Sequence, residues 1–106
     1  MIELQEGSAN FRANLSGKDK GPGKIKGVFY NPSMKFSRDL NVEFAKTLNF
    51  DGLFLDGMAA SGIRGIRLAL ESNFNVDFCD TSKLAIETIN DNLKLNNLTA
   101  NVFHDD

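Results

Sequence analysis

The chain has 106 residues, room for one domain, and 42% of them are apolar, enough for a globular core, with no apolar run of membrane-spanning length. A net charge of −2 excludes a uniformly polyanion-binding surface, yet seven of the twelve Lys and Arg fall between Arg12 and Arg38 against the single acid Asp19, so one segment is strongly basic on an acidic body. The one cysteine excludes an internal disulfide framework and fits a reducing, cytoplasmic setting, and a lone His104 without partners at ligand spacing argues against a zinc site.

Residues 1–15 alternate apolar and polar around Glu6-Gly7-Ser8, which predicts a β-hairpin. Ser16 to Gly27 carries four glycines and a proline among lysines, the composition of a loop. Its charge suits local nucleic-acid contact, and a solvated loop is the equal alternative. Val28 to Tyr30 reads as an extended piece ended by Asn31-Pro32, and Phe29 or Tyr30 could stack on a planar ligand or cover the core. Ser37 is a candidate cap for a helix running to about Leu48, with Leu40, Phe44 and Leu48 on its apolar face and Phe36 just ahead. Arg38 falls in that helix's first turn, where the dipole disfavours a cation; this makes it a candidate site residue, or half of a simple Arg–Asp pair.

Leu53-Phe54-Leu55 is a short apolar run of the kind found in strands covered on both faces, and Asp56 puts a carboxylate at its end. Gly57, Gly62 and Gly65 follow, with Ser61 as a plausible helix cap and Ile63, Ile66, Leu68 and Leu70 as the helix's apolar side. The glycine spacing is not G-x-G-x-x-G, and Ile63-Arg64 stands where a P-loop needs Lys and Ser/Thr. A ligand without a pyrophosphate fits better, S-adenosylmethionine being one; close helix–strand packing is the competing explanation of the glycines. Val76 to Cys79 predicts a second strand, with Asp80, 24 residues beyond Asp56, placed to accept from ribose hydroxyls or to join the cap of the next helix. The ribose role is favoured because the strand–acid–helix order recurs. Thr81 or Ser82 caps a helix from Lys83 to about Asn96, and Ala100 to Phe103 predicts a third strand followed by Asp105 and Asp106. The order β-α-β-α-β is half of a doubly wound sheet.

Longer matches add a family. Val28 to Leu40 resembles the FYNP…F-N-R-D-L segment of the tRNA (guanine-N2) dimethyltransferases acting at guanine 26, with Ser37 in place of Asn. Asp56 to Arg67 resembles that family's methyl-donor motif, Cys79-Asp80-Thr81-Ser82 resembles its N-D-x-S segment with Cys79 in place of Asn, and Glu6-Gly7 also fits. The resemblance implies an α/β fold, part of a Rossmann-like methyltransferase sheet, with residues 1–32 forming the hairpin and basic loop and residues 33–106 the first half of the sheet. It implies S-adenosylmethionine as cofactor and tRNA as partner; no metal and no membrane are expected from the residues themselves. Arg38 and Arg64 would hold or order the methionine carboxylate, Asp80 would accept from the ribose, and Asp106 (or Asp105) would be the acid after the third strand. Asp56, Gly57 and Phe29 would line the same pocket. The family's catalytic D-P-F-G-x-P segment has no counterpart in these 106 residues, so no catalytic residue is expected here. The chain alone is expected not to methylate tRNA, and a second polypeptide, pairing with the third strand as a free edge, could supply the rest.

Overall fold

The computed structural model describes residues 1–15, 28–48, 52–57 and 59–104. The basic segment 16–27 and the acids Asp105 and Asp106 lie outside the described residues. Two three-stranded sheets are joined through a shared core.

The amino-terminal hairpin forms as its alternation predicts. Strands β1 (Ile2–Glu6) and β2 (Ala9–Leu15) pair antiparallel, Leu4 opposite Phe11, around Gly7-Ser8, with Gly7 at φ 55° in the left-handed region that glycine adopts without strain. Ala9, Phe11 and Ala13, on one face by the period of two, are buried. Strand β3 (Phe29–Tyr30) adds parallel to the end of β2, and Tyr30 stacks tilted on Phe11, ring centroids 4.9 Å apart.

Helix α1 (Lys35–Leu48) starts earlier than a Ser37 cap allows. A 3₁₀ turn at Pro32–Met34 precedes it, and Asn31 caps that turn by accepting from the Ser33 amide. Its inward face is also not the expected one. Arg38, Val42 and Ala45 are buried, whereas Phe36, Leu40, Phe44 and Leu48 point outward, Phe36 and Phe44 being 72% and 65% exposed. Both stripes have helical spacing; the smaller one packs because α1 lies closely against helix α2 (Ile63–Glu71).

Strands β4 (Gly52–Asp56), β5 (Phe74–Asp80) and β6 (Val102–His104) form a parallel sheet in sequential order, Phe54 level with Val76 and Phe78 with Val102. Helices α2 and α3 (Lys83–Leu95) are the two crossovers, and both pack on the side of Val76 and Phe78. Among the described residues the other side is uncovered, so the expectation of a β4 buried on both faces is not met by them: Leu53 and Leu55 are 68% and 58% exposed. In the described sheet β4 is an outer strand as well as the third strand, β6. No helix among the described residues is long and apolar enough to cross a membrane.

Candidate functional site

Open α/β sheets bind ligands beyond the carboxyl ends of their strands, and here that end is built from Asp56, a turn at 59–62 and Asp80. Asp56 ends β4 and is buried. The Ala59 amide donates to the Cys79 carbonyl (3.2 Å), hanging the turn on β5, and the Gly62 amide closes it on the Ala59 carbonyl (2.6 Å). Ala60 sits at φ 50°, a left-handed conformation that costs a non-glycine residue about 1 kcal/mol or more. Asp80 holds it there, its Oδ2 accepting from the Ala60 amide (3.0 Å). Oδ1 of Asp80 accepts from the Ser82 amide (2.9 Å), and Ser82 in turn caps α3 by accepting from the Ala85 amide (3.2 Å). Asp80 is thus part of the cap arrangement, yet each of its oxygens retains a lone pair and the residue is half-buried, so acceptor capacity remains for a ligand hydroxyl.

The three glycines do three different things. A Cβ on Gly65 would strike the Phe78 ring and come within 2.8 Å of Val76, so Gly65 exists for helix–strand contact. Gly62 is the α2 cap position at φ 85°, a place expected of Ser61; the Ser61 hydroxyl lies 3.4 Å from the Ile63 amide and the residue is buried. Gly57 is exposed, and a Cβ there would meet nothing within 4 Å. Packing accounts for Gly65 and leaves open space at Gly57, beside Asp56.

The arginines divide as sharply. Arg38 is buried, its Nε and Nη2 bonded to the two oxygens of Glu6 (2.8 and 2.7 Å) and Nη2 also to the Asn31 carbonyl (3.1 Å), with its guanidinium 4.8 Å from the Tyr30 ring centroid. The bland expectation of an Arg38–Asp pair is replaced by a bidentate Arg38–Glu6 pair. Glu6 also accepts from Arg67 Nη1 (2.9 Å) and the Tyr30 hydroxyl (2.5 Å). Burial pushes the Glu6 carboxyl up, but the bonds from Arg38, Tyr30 and Arg67 outweigh it and hold it below its ordinary value. Arg67 is further bonded to Glu71 (2.8 Å) and Asp39 (2.5 Å), and the Arg67 bond holds Glu71 low as well. Arg64, one turn earlier on α2, is half-buried and bonded to the Asn41 side chain of α1. Phe29 is 45% exposed on β3. The fold therefore brings Asp56, Gly57 and Asp80 to one end of the sheet and Arg64 to the start of the adjoining helix, while Arg38 belongs to a buried charge cluster.

The buried pairing of Glu6 with Arg67 escaped the sequence reading, which places Glu6 only in the hairpin turn and the family match and Arg67 only at the end of the donor motif, although a signal exists. Glu6 continues the Ile2–Leu4 face of β1, and Arg67 takes the fourth place after Ile63 on the apolar side of α2: each is a charge on an inward stripe. A cavity of about 460 Å³ lined by Phe74, Asp77, Leu98 and Asn101 lies towards the amino end of β5, away from Asp80.

Residues 10–106 match the family model described as N2,N2-dimethylguanosine tRNA methyltransferase. The chain is 43% identical over 83 residues to the tRNA (guanine(26)-N(2))-dimethyltransferase of Archaeoglobus fulgidus, covering 78% of this chain and 24% of that protein. It is 34% identical over 104 residues to the enzyme of the same name from Natronomonas pharaonis, covering 97% and 28%. A solved complex of Trm1 from Pyrococcus horikoshii with S-adenosyl-L-methionine superposes with a TM-score of 0.74 at 40% identity, covering 91% of this chain and 24% of that one. The chain thus spans about a quarter of the length of these relatives.

Proposed function

The chain belongs to the N2,N2-dimethylguanosine tRNA methyltransferase family and has its Rossmann-like fold, and from that premise we propose that it is the S-adenosylmethionine-binding, amino-terminal part of a tRNA guanine-N2 dimethyltransferase acting at guanine 26 in the cytoplasm. The observation that carries the proposal is the convergence of Asp80, with acceptor capacity to spare, and the open space at Gly57 on the carboxyl end of the parallel sheet. A cofactor with ribose hydroxyls and a bulky sulfonium suits a carboxylate beside a backbone that no Cβ obstructs.

In this reading Asp80 accepts from the ribose, and Asp56, Gly57 and Phe29 bound the pocket. Asp106, or Asp105, adds an acid after β6. The two arginines divide the work: Arg64 reaches the methionine carboxylate after leaving one bond to Asn41, whereas Arg38, fixed by Glu6, orders the site around it. When bound, the cofactor supplies a methyl group on a sulfonium sulfur, whose transfer to the exocyclic nitrogen of guanine forms an N–C bond, breaks a C–S bond and releases one proton. The acid–base group for that proton is supplied by the remaining three quarters of the enzyme, as a second polypeptide or a continuous chain. Among the described residues no strand pairs with the outer edge of β4, and this edge, the exposed Leu53 and Leu55 and the outward stripe of α1 support a further layer there. The basic segment contributes to tRNA contact.

Calorimetric titration with S-adenosylhomocysteine tests the reading: measurable affinity, weakened by Asp80→Ala and by Arg64→Ala, is expected. The rival reading, a non-catalytic RNA-binding module, expects RNA affinity with a steep salt dependence and no cofactor affinity that responds to Asp80. Methylation of tRNA is expected only when a polypeptide matching the rest of a relative is added; turnover by the 106-residue chain alone overturns that part.

A further inference from the structure

Asn92, on α3, has no exposed surface, and its amide makes three bonds to backbone. Oδ1 accepts from the Arg12 amide (2.7 Å), and Nδ2 donates to the carbonyls of Arg12 (3.1 Å) and Ser61 (2.8 Å). The orientation is dictated by its neighbours: the Arg12 N–H is a donor, so an oxygen must face it, and the NH2 then meets the two carbonyls. Four residues on, Asn96 repeats two of these three bonds on Asn10, accepting from its amide (3.0 Å) and donating to its carbonyl (2.6 Å). Outward backbone groups on an antiparallel edge recur every second residue, and side chains on a helix recur every fourth. Asn92 and Asn96 therefore match Arg12 and Asn10 of β2 and close that edge in place of a strand, and the next outward amide, Asn14, donates to the Val28 carbonyl (2.8 Å).

The two asparagines differ in burial, Asn96 being half-buried at the α3 cap with its Nδ2 also on the Asn92 carbonyl (2.7 Å), and in what they reach. Asn96 ties the hairpin to α3, whereas Asn92 also grips Ser61, inside the turn that carries the left-handed Ala60. That turn has two side-chain anchors on consecutive residues: Asp80 on the Ala60 amide and Asn92 on the Ser61 carbonyl. Asp80 is also the group offered to the ribose, so a ligand competes for its geometry; Asn92 is committed to backbone alone.

We propose that Asn92 is a positioning residue for the methyl-donor turn, holding the strained Ala59–Gly62 backbone in its ligand-ready shape and making that shape depend on the docked amino-terminal hairpin. The inference rests on the cofactor reading above for what the turn binds, and on geometry alone for the clamp.

The test compares Asn92→Ala with Asn96→Ala in this chain, by titration with S-adenosylhomocysteine and by amide hydrogen exchange. Both variants loosen hairpin docking, but only the first releases the turn. Asn92→Ala is expected to weaken the ligand about tenfold and to speed exchange of the Ala60 amide by a similar factor, with Asn96→Ala changing each by less than about twofold at a comparable loss of thermal stability. Equal effects from the two variants, or none from Asn92→Ala, overturn the proposal. If Asn92→Ala does not fold, Asn92→Ser, which stays polar but whose hydroxyl stops one bond short of the Nδ2 position that meets the Ser61 carbonyl, is judged by the same criteria. If the unaltered chain binds no S-adenosylhomocysteine while Ala60 exchange still separates the two variants, the cofactor reading falls and the clamp stands.

Discussion

Two polar regions of this chain use the same residue types to opposite ends. Around Glu6, two arginines, a tyrosine and a carboxylate are buried and bonded to one another, with Glu71 and Asp39 at the margin. At the carboxyl end of β4 and β5, Asp80 is half-buried with lone pairs in reserve and Gly57 faces open space. A polar cluster whose valences are spent on itself joins elements of the fold, here β1, α1 and α2; one with valences left over can take a ligand. Residue identity does not distinguish the two, and the count of satisfied donors and acceptors does.

The comparison breaks hardest at Glu6. Glu6→Ala strands two buried guanidinium groups, and about 3–5 kcal/mol of stability is expected to go, read by urea unfolding. Titration of the same carboxyl gives the next effect. Its folded value is held below the ordinary 4.5, so the folded state binds fewer protons; its contribution is complete above about pH 4.5 and drains away as pH falls through the lower folded value. Glu71 and Asp39 shift in the same direction. Stability measured against pH is expected to decline below pH 4.5 in the unaltered chain and to decline less steeply in a folded Glu6→Gln variant. Gly65→Ala pushes a methyl into Phe78 and Val76 and is expected to cost about 1–3 kcal/mol by thermal unfolding. Asp80→Ala removes two bonds to backbone amides, about 1–2 kcal/mol, and is expected to lower S-adenosylhomocysteine affinity about tenfold or more in calorimetry. Gly57→Ala is the smallest in stability, within about 0.5 kcal/mol because its Cβ has free space, yet it is expected to weaken the ligand; Gly65→Ala and Gly57→Ala thus separate the packing glycine from the glycine proposed for the site.

Much of this is legible in residues 1–106 alone. The hairpin, the order of the parallel strands, the Ser82 cap and the acid at the end of β5 all rest on local patterns that the fold keeps. What failed were choices between two equally periodic readings. Phe36, Leu40, Phe44 and Leu48 form the more apolar stripe of α1, but Arg38, Val42 and Ala45 pack, because Arg38 finds Glu6 from the distant hairpin and the smaller side chains allow α1 close to α2. Leu53 to Leu55 reads as a doubly covered strand, and the described residues cover only one of its faces. Glu6, Arg67 and Asn92 owe their roles to partners 24 to 80 residues away in sequence, beyond the reach of a local window. Ala60 was invisible for another reason: an alanine at positive φ leaves no compositional mark.

The most direct test of the central claim, that the ligand sits where β4 and β5 end, is a titration of the isotope-labelled chain with S-adenosylhomocysteine followed by amide chemical shifts. The account predicts saturable shifts at Gly57, Ala60 and Asp80, with Leu98 and Asn101 at the other end of the sheet unmoved. Shifts confined to that other end, or none at saturating ligand, would contradict it.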